Sequence, residues 1–246
     1  MKTYRAELHV HTVLSPCAQI EMIPPLIVRE ALELGIQLIA ITDHNATKNI
    51  AAVQKAAAST DLTVLPGMEL QTREEVHILC LFDTLEQAQA FQKEVDLALP
   101  EISNRPDFFG EQFIVDETGD FIQSEDRLLI TSTRLTLRQA WEKVDRLGGL
   151  FIPAHVNRKT FGLIENLGLV PEDIPILALE ISRHTTPDRA VVEFPQIRGY
   201  PLIQNGDVHG LDEFLGSNEY QMEQPTIAEL RLAIEGKENR SMTFRT

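Results

Sequence analysis

Short apolar runs that each close on a histidine or a carboxylate recur along this chain, separated by helical stretches, and that alternation restricts the fold more than any other feature of the sequence. Residues 4–11 alternate apolar and polar side chains and break at LSPC, as a strand entering a loop does. Pro24-Pro25 then opens a helix whose Ile27, Ala31 and Leu34 share one face until Gly35 stops it. The run 38–41 is a buried strand leading into the polar loop TDHN. This is a βαβ unit. A helix over 49–58, a strand over 63–69 through the segment VLPGMEL and a strand through VHILCLF (76–82) follow. Residues 70–75 are too few for a crossover helix, so the fourth strand is expected to run antiparallel to the third, with His77 opposite Glu69.

After a helix over 85–99, the stretch 100–136 interrupts the alternation. It contains a predicted hairpin, FIVDETGDFIQ, turning at Thr118-Gly119, and is expected to lie over one face of the molecule. The pattern then resumes with a helix over 137–147, strands over 150–153 and 176–181, a helix from Pro187, a strand over 201–204 and a helix over 227–234. Alternation of this kind indicates an α/β sheet or barrel. A length of 246 residues suits one such domain, residues 1–246, around a single core.

Six of the seven histidines fall at or just past a predicted strand end, or at the start of the antiparallel strand, and all those ends face one rim. Loops converge at such a rim in barrel folds, so residues distant in sequence can meet there. His9 and His11 are two apart on a strand and share a face, which lets both imidazoles grip one ion; Asp207 and His209 repeat the spacing in GDVHG. Glu69 closes the third strand, His77 starts the fourth, and His155 follows LFIP. Neutral imidazole and carboxylate together suit divalent Zn, Mn or Fe, and a bridging carboxylate neutralises two neighbouring ions. A single histidine at a strand end is more often a hydrogen-bonded or solvent-facing residue; it is the joint placement that points to metal.

The segments HVHTVLSPC, ITDHN, PGMEL, EEVHILCLF, PAHVN and NGDVHG, in this order from Glu7 to Gly210, resemble the successive motifs of the PHP (polymerase and histidinol phosphatase) family. The resemblance implies a distorted (β/α)7 barrel, here with a small hairpin-containing insertion, and a di- or trinuclear site with two or three divalent ions and phosphoesterase activity. It further implies His9, His11, Glu69 and Asp207 as ligands of a first metal, Glu69, His77 and His155 of a second, and His44 and His209 of a third. One loop departs from the pattern. Where many members read HTxxSDG this chain reads HTVLSPC, so a frequent acidic position is Pro16, which has no side-chain donor, and an alternative histidine position is Cys17. Cys17 is a ligand as thiolate, or a small buried or solvent-facing thiol.

Asp43, before His44, suits a ligand, a residue that orients ligands, or a catalytic proton acceptor, and is assigned to the catalytic role. Arg158, just past His155, is assigned to binding the substrate phosphate, with Arg183 and His184 on the same rim. Cys80 and Trp141 fit core packing.

The expected chemistry is hydrolysis of a phosphate ester by a metal-bound hydroxide, since clustered metals acidify a bound water and clamp the phosphoryl oxygens. The competing readings are a noncatalytic metal-binding module of the same family and an amidohydrolase-like enzyme acting on a non-phosphate bond. With 37 acidic against 22 basic residues and a formal charge of −15, a long nucleic acid is not an expected partner. A small phosphorylated substrate, a nucleotide or a short oligonucleotide is. No apolar run suits a membrane span and the start lacks the apolar core of a signal peptide, so no membrane partner and a cytoplasmic location are expected. The two cysteines have no CxxC spacing and suggest no redox role.

Overall fold

A computed structural model describes residues 1–245. The first half of the chain runs β1 (Lys2–Val10), α1 (Pro24–Glu33), β2 (Leu38–Ile41), α2 (Ile50–Ala57), β3 (Thr63–Gln71), β4 (His77–Leu81), α3 (Leu85–Ala98), α4 (Pro106–Phe109), β5 (Phe113–Val115) and β6 (Phe121–Ser124). The second runs α5 (Leu137–Arg146), β7 (Leu150–Pro153), α6 (Leu163–Leu167), β8 (Leu179–Ile181), α7 (Pro187–Glu193), β9 (Leu202–Gln204), β10 (Asn218–Met222), α8 (Ile227–Glu235) and β11 (Ser241–Phe244). Local chemistry sets several of these bounds. Pro24 starts α1, and Thr84 with Gln87 and Thr136 with Gln139 form reciprocal capping boxes on α3 and α5.

The main sheet is curled, in the order β11-β10-β1-β2-β3-β4-β7, and β8 and β9 form a separate parallel pair. β1, β2 and β3 are parallel, and β4 is antiparallel to both β3 and β7, as the short connection predicts. The β8-β9 pair joins the ends of this sheet through isolated bonds. On one side Val156 N donates to Glu180 O at 2.8 Å; on the other Val208 N donates to His9 O and His11 N to Val208 O, each at 2.9 Å. β1, β2, β3, β4, β7, β8 and β9 thus ring a distorted barrel. The free edge of β1 is shared: residues Lys2–Ala6 pair with β10, while Val10 bridges Val208.

The interior has two apolar layers. Leu38, Ala40, Leu65, Leu79, Leu150, Ile152, Ala178 and Ile203 fill the barrel, which Tyr220 of β10 and Leu230 and Ala233 of α8 close at one end. Ile39, Met68, Ile78, Cys80 and Phe151 point outward against helices, including Ile27 of α1, Val53 of α2 and Phe91 of α3. The 100–136 excursion carries the expected hairpin, with Gly119 N bonded to Asp116 O in its turn. It packs across the open end: Asn45 Nδ2 donates to Leu129 O (2.6 Å) and Thr133 N to Gln71 O (2.9 Å).

One expectation needs correction, and four further elements carry no clear signal in the sequence. The strand expected over 176–181 forms only at Leu179–Ile181, because its ladder begins with Leu179 N donating to Pro201 O and Pro201 has no N–H to extend it. β10 and β11 were not expected; Asn218, Tyr220 and Met222 alternate inward, but two of the five residues of β10 are amides and one is an acid, which masks the apolar signal. The short helices α4 and α6 carry no extended apolar periodicity and were also missed.

Candidate metal centre

The register of β1 against β2 shifts between Glu7 and Val10. Ahead of this bulge Ala6 and Leu8 face the barrel interior; beyond it Val10 faces outward with Ile27 and Ala31. The extra residue therefore switches the inward parity after Leu8 and turns both His9 and His11 into the barrel mouth above a layer of leucines. On β3, Met68 and Leu70 pack outward, which sends Glu69 and Gln71 inward. The direct cross-strand partner of His77 is Gln71, and Glu69 pairs with Leu79. His77 thus meets Glu69 diagonally on the same face, its Nδ1 donating to Oε1 at 2.8 Å.

Glu69 is the hub. His9 Nε2 and His11 Nε2 each lie 3.3 Å from one of its oxygens, His44 Nδ1 2.9 Å and His155 Nε2 3.1 Å. Asp207 Oδ1 lies 3.2 Å from His9 Nε2, and 3.5 Å from both His11 Nε2 and His209 Nδ1. All eight predicted ligands therefore converge. Three donor sets have ligand atoms close enough to share an ion: His9, His11, Glu69 and Asp207; His44, Glu69 and His77; His11, His44 and His209. The first matches the expected first set. In the second His44 stands beside Glu69 and His77 where the resemblance implies His155, and in the third His11 joins His44 and His209.

The donors fit divalent metal. Two ligands on one tetrahedral ion with bonds near 2.1 Å sit about 3.4 Å apart, and the four contacts of His9 and His11 with Glu69 and Asp207 span 3.2 to 3.5 Å. His9 Nε2, His11 Nε2, Glu69 Oε2, His77 Nε2, His155 Nδ1 and Asp207 Oδ1 are buried without a hydrogen-bond partner. So many orphaned polar atoms in one place would cost several kcal/mol, of order 1–3 each, unless something positive serves them.

The electrostatics agree. Burial opposes ionisation of Glu69, yet His77, His9 and His44 outweigh it and hold the carboxyl well below its usual range. Asp207 is held low in the same way, against burial, chiefly by His9 and His11. Burial disfavours a charged His9, but Glu180, Glu69 and Asp207 raise it well above the ordinary imidazole value; His44 is raised likewise by Glu69 and Cys17. At His77 burial prevails, lowering it to about 4.

Two networks orient the imidazoles. Asp43 is fully buried and accepts from Thr12 N, Thr12 Oγ1 and Ser15 Oγ, each at 2.7 Å. Ser15 Oγ in turn lies 2.9 Å from His11 Nδ1. With its own proton given to Asp43, Ser15 accepts from Nδ1–H and leaves the lone pair of His11 Nε2 free to coordinate. Asp43 does not line the cavity, and its hydrogen bonds reach His11 through Ser15. Sequence reasoning missed Glu180. Its carboxylate accepts from His9 Nδ1 (3.1 Å), His155 N (2.9 Å) and Asn205 Nδ2 (2.7 Å), so it fixes two predicted ligands at once. The signal available was a lone carboxylate between Leu179 and Ile181, which face the helices.

A cavity of about 470 Å³ opens onto the cluster, lined among others by Arg158, Phe161, Arg183 and His184. Arg158 forms an ion pair with Asp207, and Arg183 donates to Gly206 O at 3.4 Å. Cys17 is exposed on the same wall. Desolvation of its thiol is outweighed by neighbouring His44 and His209, which bring it to about 5. The LSPC loop thus places Cys17 on the cavity wall on the side of His44 and His209, exposed and outside the three donor sets. His155 and Asp207 adopt positive φ of 29° and 51°, so two of the predicted ligands sit on strained backbone.

A family model described as the PHP domain matches residues 7–156. Among curated proteins, the uncharacterized protein YqxK of Bacillus subtilis (strain 168) is 24% identical over 98% of this chain and 64% of its own length. Among solved structures, the lesion-specific endonuclease PfuEndoQ from Pyrococcus furiosus has a similar fold, with a TM-score of 0.73 at 20% identity over 98% of this chain and 58% of that one. Endonuclease Q in complex with a 27-mer duplex bearing an abasic lesion at its active site matches with a TM-score of 0.71, also at 20% identity and with the same coverages. The chain therefore spans roughly three fifths of these proteins. No helix among the described residues is long and apolar enough to cross a membrane.

Proposed function

Because the chain belongs to the PHP domain family, we propose that it is a metal-dependent phosphoesterase whose active site is the Glu69-centred cluster. The observation that carries this is the set of buried, unpartnered imidazole and carboxylate atoms around one ionised glutamate. His9, His11, Glu69 and Asp207 would hold a first ion, and Glu69 with His77, His44 and His155 a second. His44, His209 and His11 offer a further set. Divalent ions there would acidify a water and neutralise the phosphoryl oxygens, the chemistry that phosphate ester hydrolysis needs at neutral pH.

The protein's own residues have separate tasks in this reading. Glu180 and the Asp43–Ser15 pair hold His9 and His11 by their Nδ1 atoms, which would leave both Nε2 lone pairs free for an ion. Arg158, at the cavity wall, exchanges Asp207 for a substrate phosphate oxygen. The loops of the 100–136 excursion cover part of the mouth, contributing Ile130 to the cavity. The lesion endonucleases of similar fold favour a phosphate ester within or at the end of a nucleic-acid strand, or a nucleotide, over an unrelated class.

The experiment is a panel of phosphomonoesters, phosphodiesters, short oligonucleotides and amides, offered to protein stripped by chelator and then reloaded with Zn, Mn or Fe. Turnover of phosphate esters only after reloading supports the proposal; turnover of amides with none of phosphate esters contradicts it. In the same panel Arg158→Ala is expected to raise KM on the order of tenfold while kcat and bound metal stay near wild type, since a phosphate clamp contributes to binding. An unchanged KM would remove Arg158 from the substrate site.

A further inference from the structure

Phe161 stands out on the loop that carries His155 and Arg158. Its φ is 60°, a conformation that an aromatic residue rarely adopts. Two contacts hold it there. Its carbonyl accepts from His77 N at 3.1 Å, and its ring lies flat on the His77 imidazole, with centroids 4.4 Å apart and planes within 4°. The loop closes at Gly162, where a Cβ would come within 2.2 Å of Arg158 O, so the turn that sets Phe161 beside Arg158 depends on glycine.

One face of the ring is therefore spent on His77. A ring that only shielded His77 would gain by burying its other face as well. Phe161 is instead 38% exposed, and it lines the same cavity as Arg158 and Arg183. The loop thus presents, between residues 155 and 161, a predicted metal ligand, a guanidinium suited to a phosphate oxygen, and an open aromatic face. Planar rings stack on such faces with little demand for particular hydrogen bonds.

We propose that the open face of Phe161 stacks a nucleobase adjacent to the bound phosphate group, so that the preferred substrates are base-bearing phosphate esters. This rests on the phosphoesterase reading above and narrows its substrate class. Free nucleotides and strand ends share the chemistry that Phe161 would recognise.

The test is equilibrium binding, by calorimetry, of two non-hydrolysable probes to the metal-loaded protein. These are an adenosine 5′-phosphonate and the matching ribose 5-phosphonate, which differ only in the planar ring. A short single-stranded oligonucleotide with a terminal phosphonate is the third arm. The base-bearing probes are expected to bind the wild type on the order of tenfold more tightly than the sugar probe. Tighter binding of the oligonucleotide than of the mononucleotide identifies the strand end as the source. Phe161→Tyr is expected to keep the gap, and Phe161→Leu, which still covers His77, to close it, with metal content unchanged in both. A gap that persists in Phe161→Leu, or that is missing in the wild type, overturns the proposal. So does metal loss in Phe161→Leu with the gap intact, which would mark the ring as cover for His77. Turnover of the corresponding phosphates is measured alongside. No turnover together with an intact gap would overturn the hydrolase reading and leave the stacking platform standing.

Discussion

Glu69→Ala is expected to lower phosphate ester hydrolysis by on the order of a thousandfold or more and to release metal from two sets at once. The size of the effect follows from position. Five imidazole nitrogens, from His9, His11, His44, His77 and His155, lie between 2.8 and 3.3 Å from the two oxygens of this one carboxylate. No other carboxylate is a member of two donor sets: Asp207 belongs to the first alone, and it is not in contact with His77 or His155 among the described ion pairs. Glu69→Gln is the companion variant, keeping the shape while removing the charge. Steady-state kinetics and metal analysis check both. Hydrolysis at the wild-type rate by Glu69→Ala would refute the catalytic role of the cluster and bring the noncatalytic reading forward.

Glu180→Gln is expected to weaken metal binding by roughly 10- to 100-fold, the usual range for a residue that orients a ligand, although Glu180 belongs to none of the three donor sets. Glu180 accepts three donors: His9 Nδ1, the His155 amide and Asn205 Nδ2. A glutamine has one acceptor oxygen, so its NH2 must face at least one of these donors. If it faces His9, the proton on that ring shifts from Nδ1 to Nε2 and occupies the lone pair aimed at Glu69 and Asp207. Competition with a chromogenic chelator measures the loss, and circular dichroism checks that the variant is folded. Metal affinity equal to wild type in a folded Glu180→Gln protein would remove Glu180 from the site.

Much of this was legible because strand ends carry their own chemistry. β2 and β7 begin and end where the apolar runs do, at Leu38–Ile41 and Leu150–Pro153, and the short link to β4 dictated its reversal. The eight predicted ligands are polar residues at those ends, so their convergence followed from the alternation. The β1 bulge was invisible, because HVH reads as plain alternation whether or not a residue has been inserted before it. Glu180 looked like any strand residue until the fold turned β8 toward His9. Asp43 was legible as a site residue, but its partners were not, since adjacency to His44 says nothing about the Thr12 and Ser15 donors that occupy its oxygens. The placement of Cys17 depends on how the loop after β1 folds back, with Gly110 packed on Pro16 O, a tertiary contact that no local spacing encodes.

The most direct measurement is the metal content of the purified chain after reconstitution with Zn, Mn and Fe, by elemental analysis against protein concentration. A cluster with Glu69 shared between donor sets predicts at least two equivalents per chain, falling by at least one in Glu69→Ala. Less than one equivalent in the wild type after reconstitution would contradict the metal centre itself.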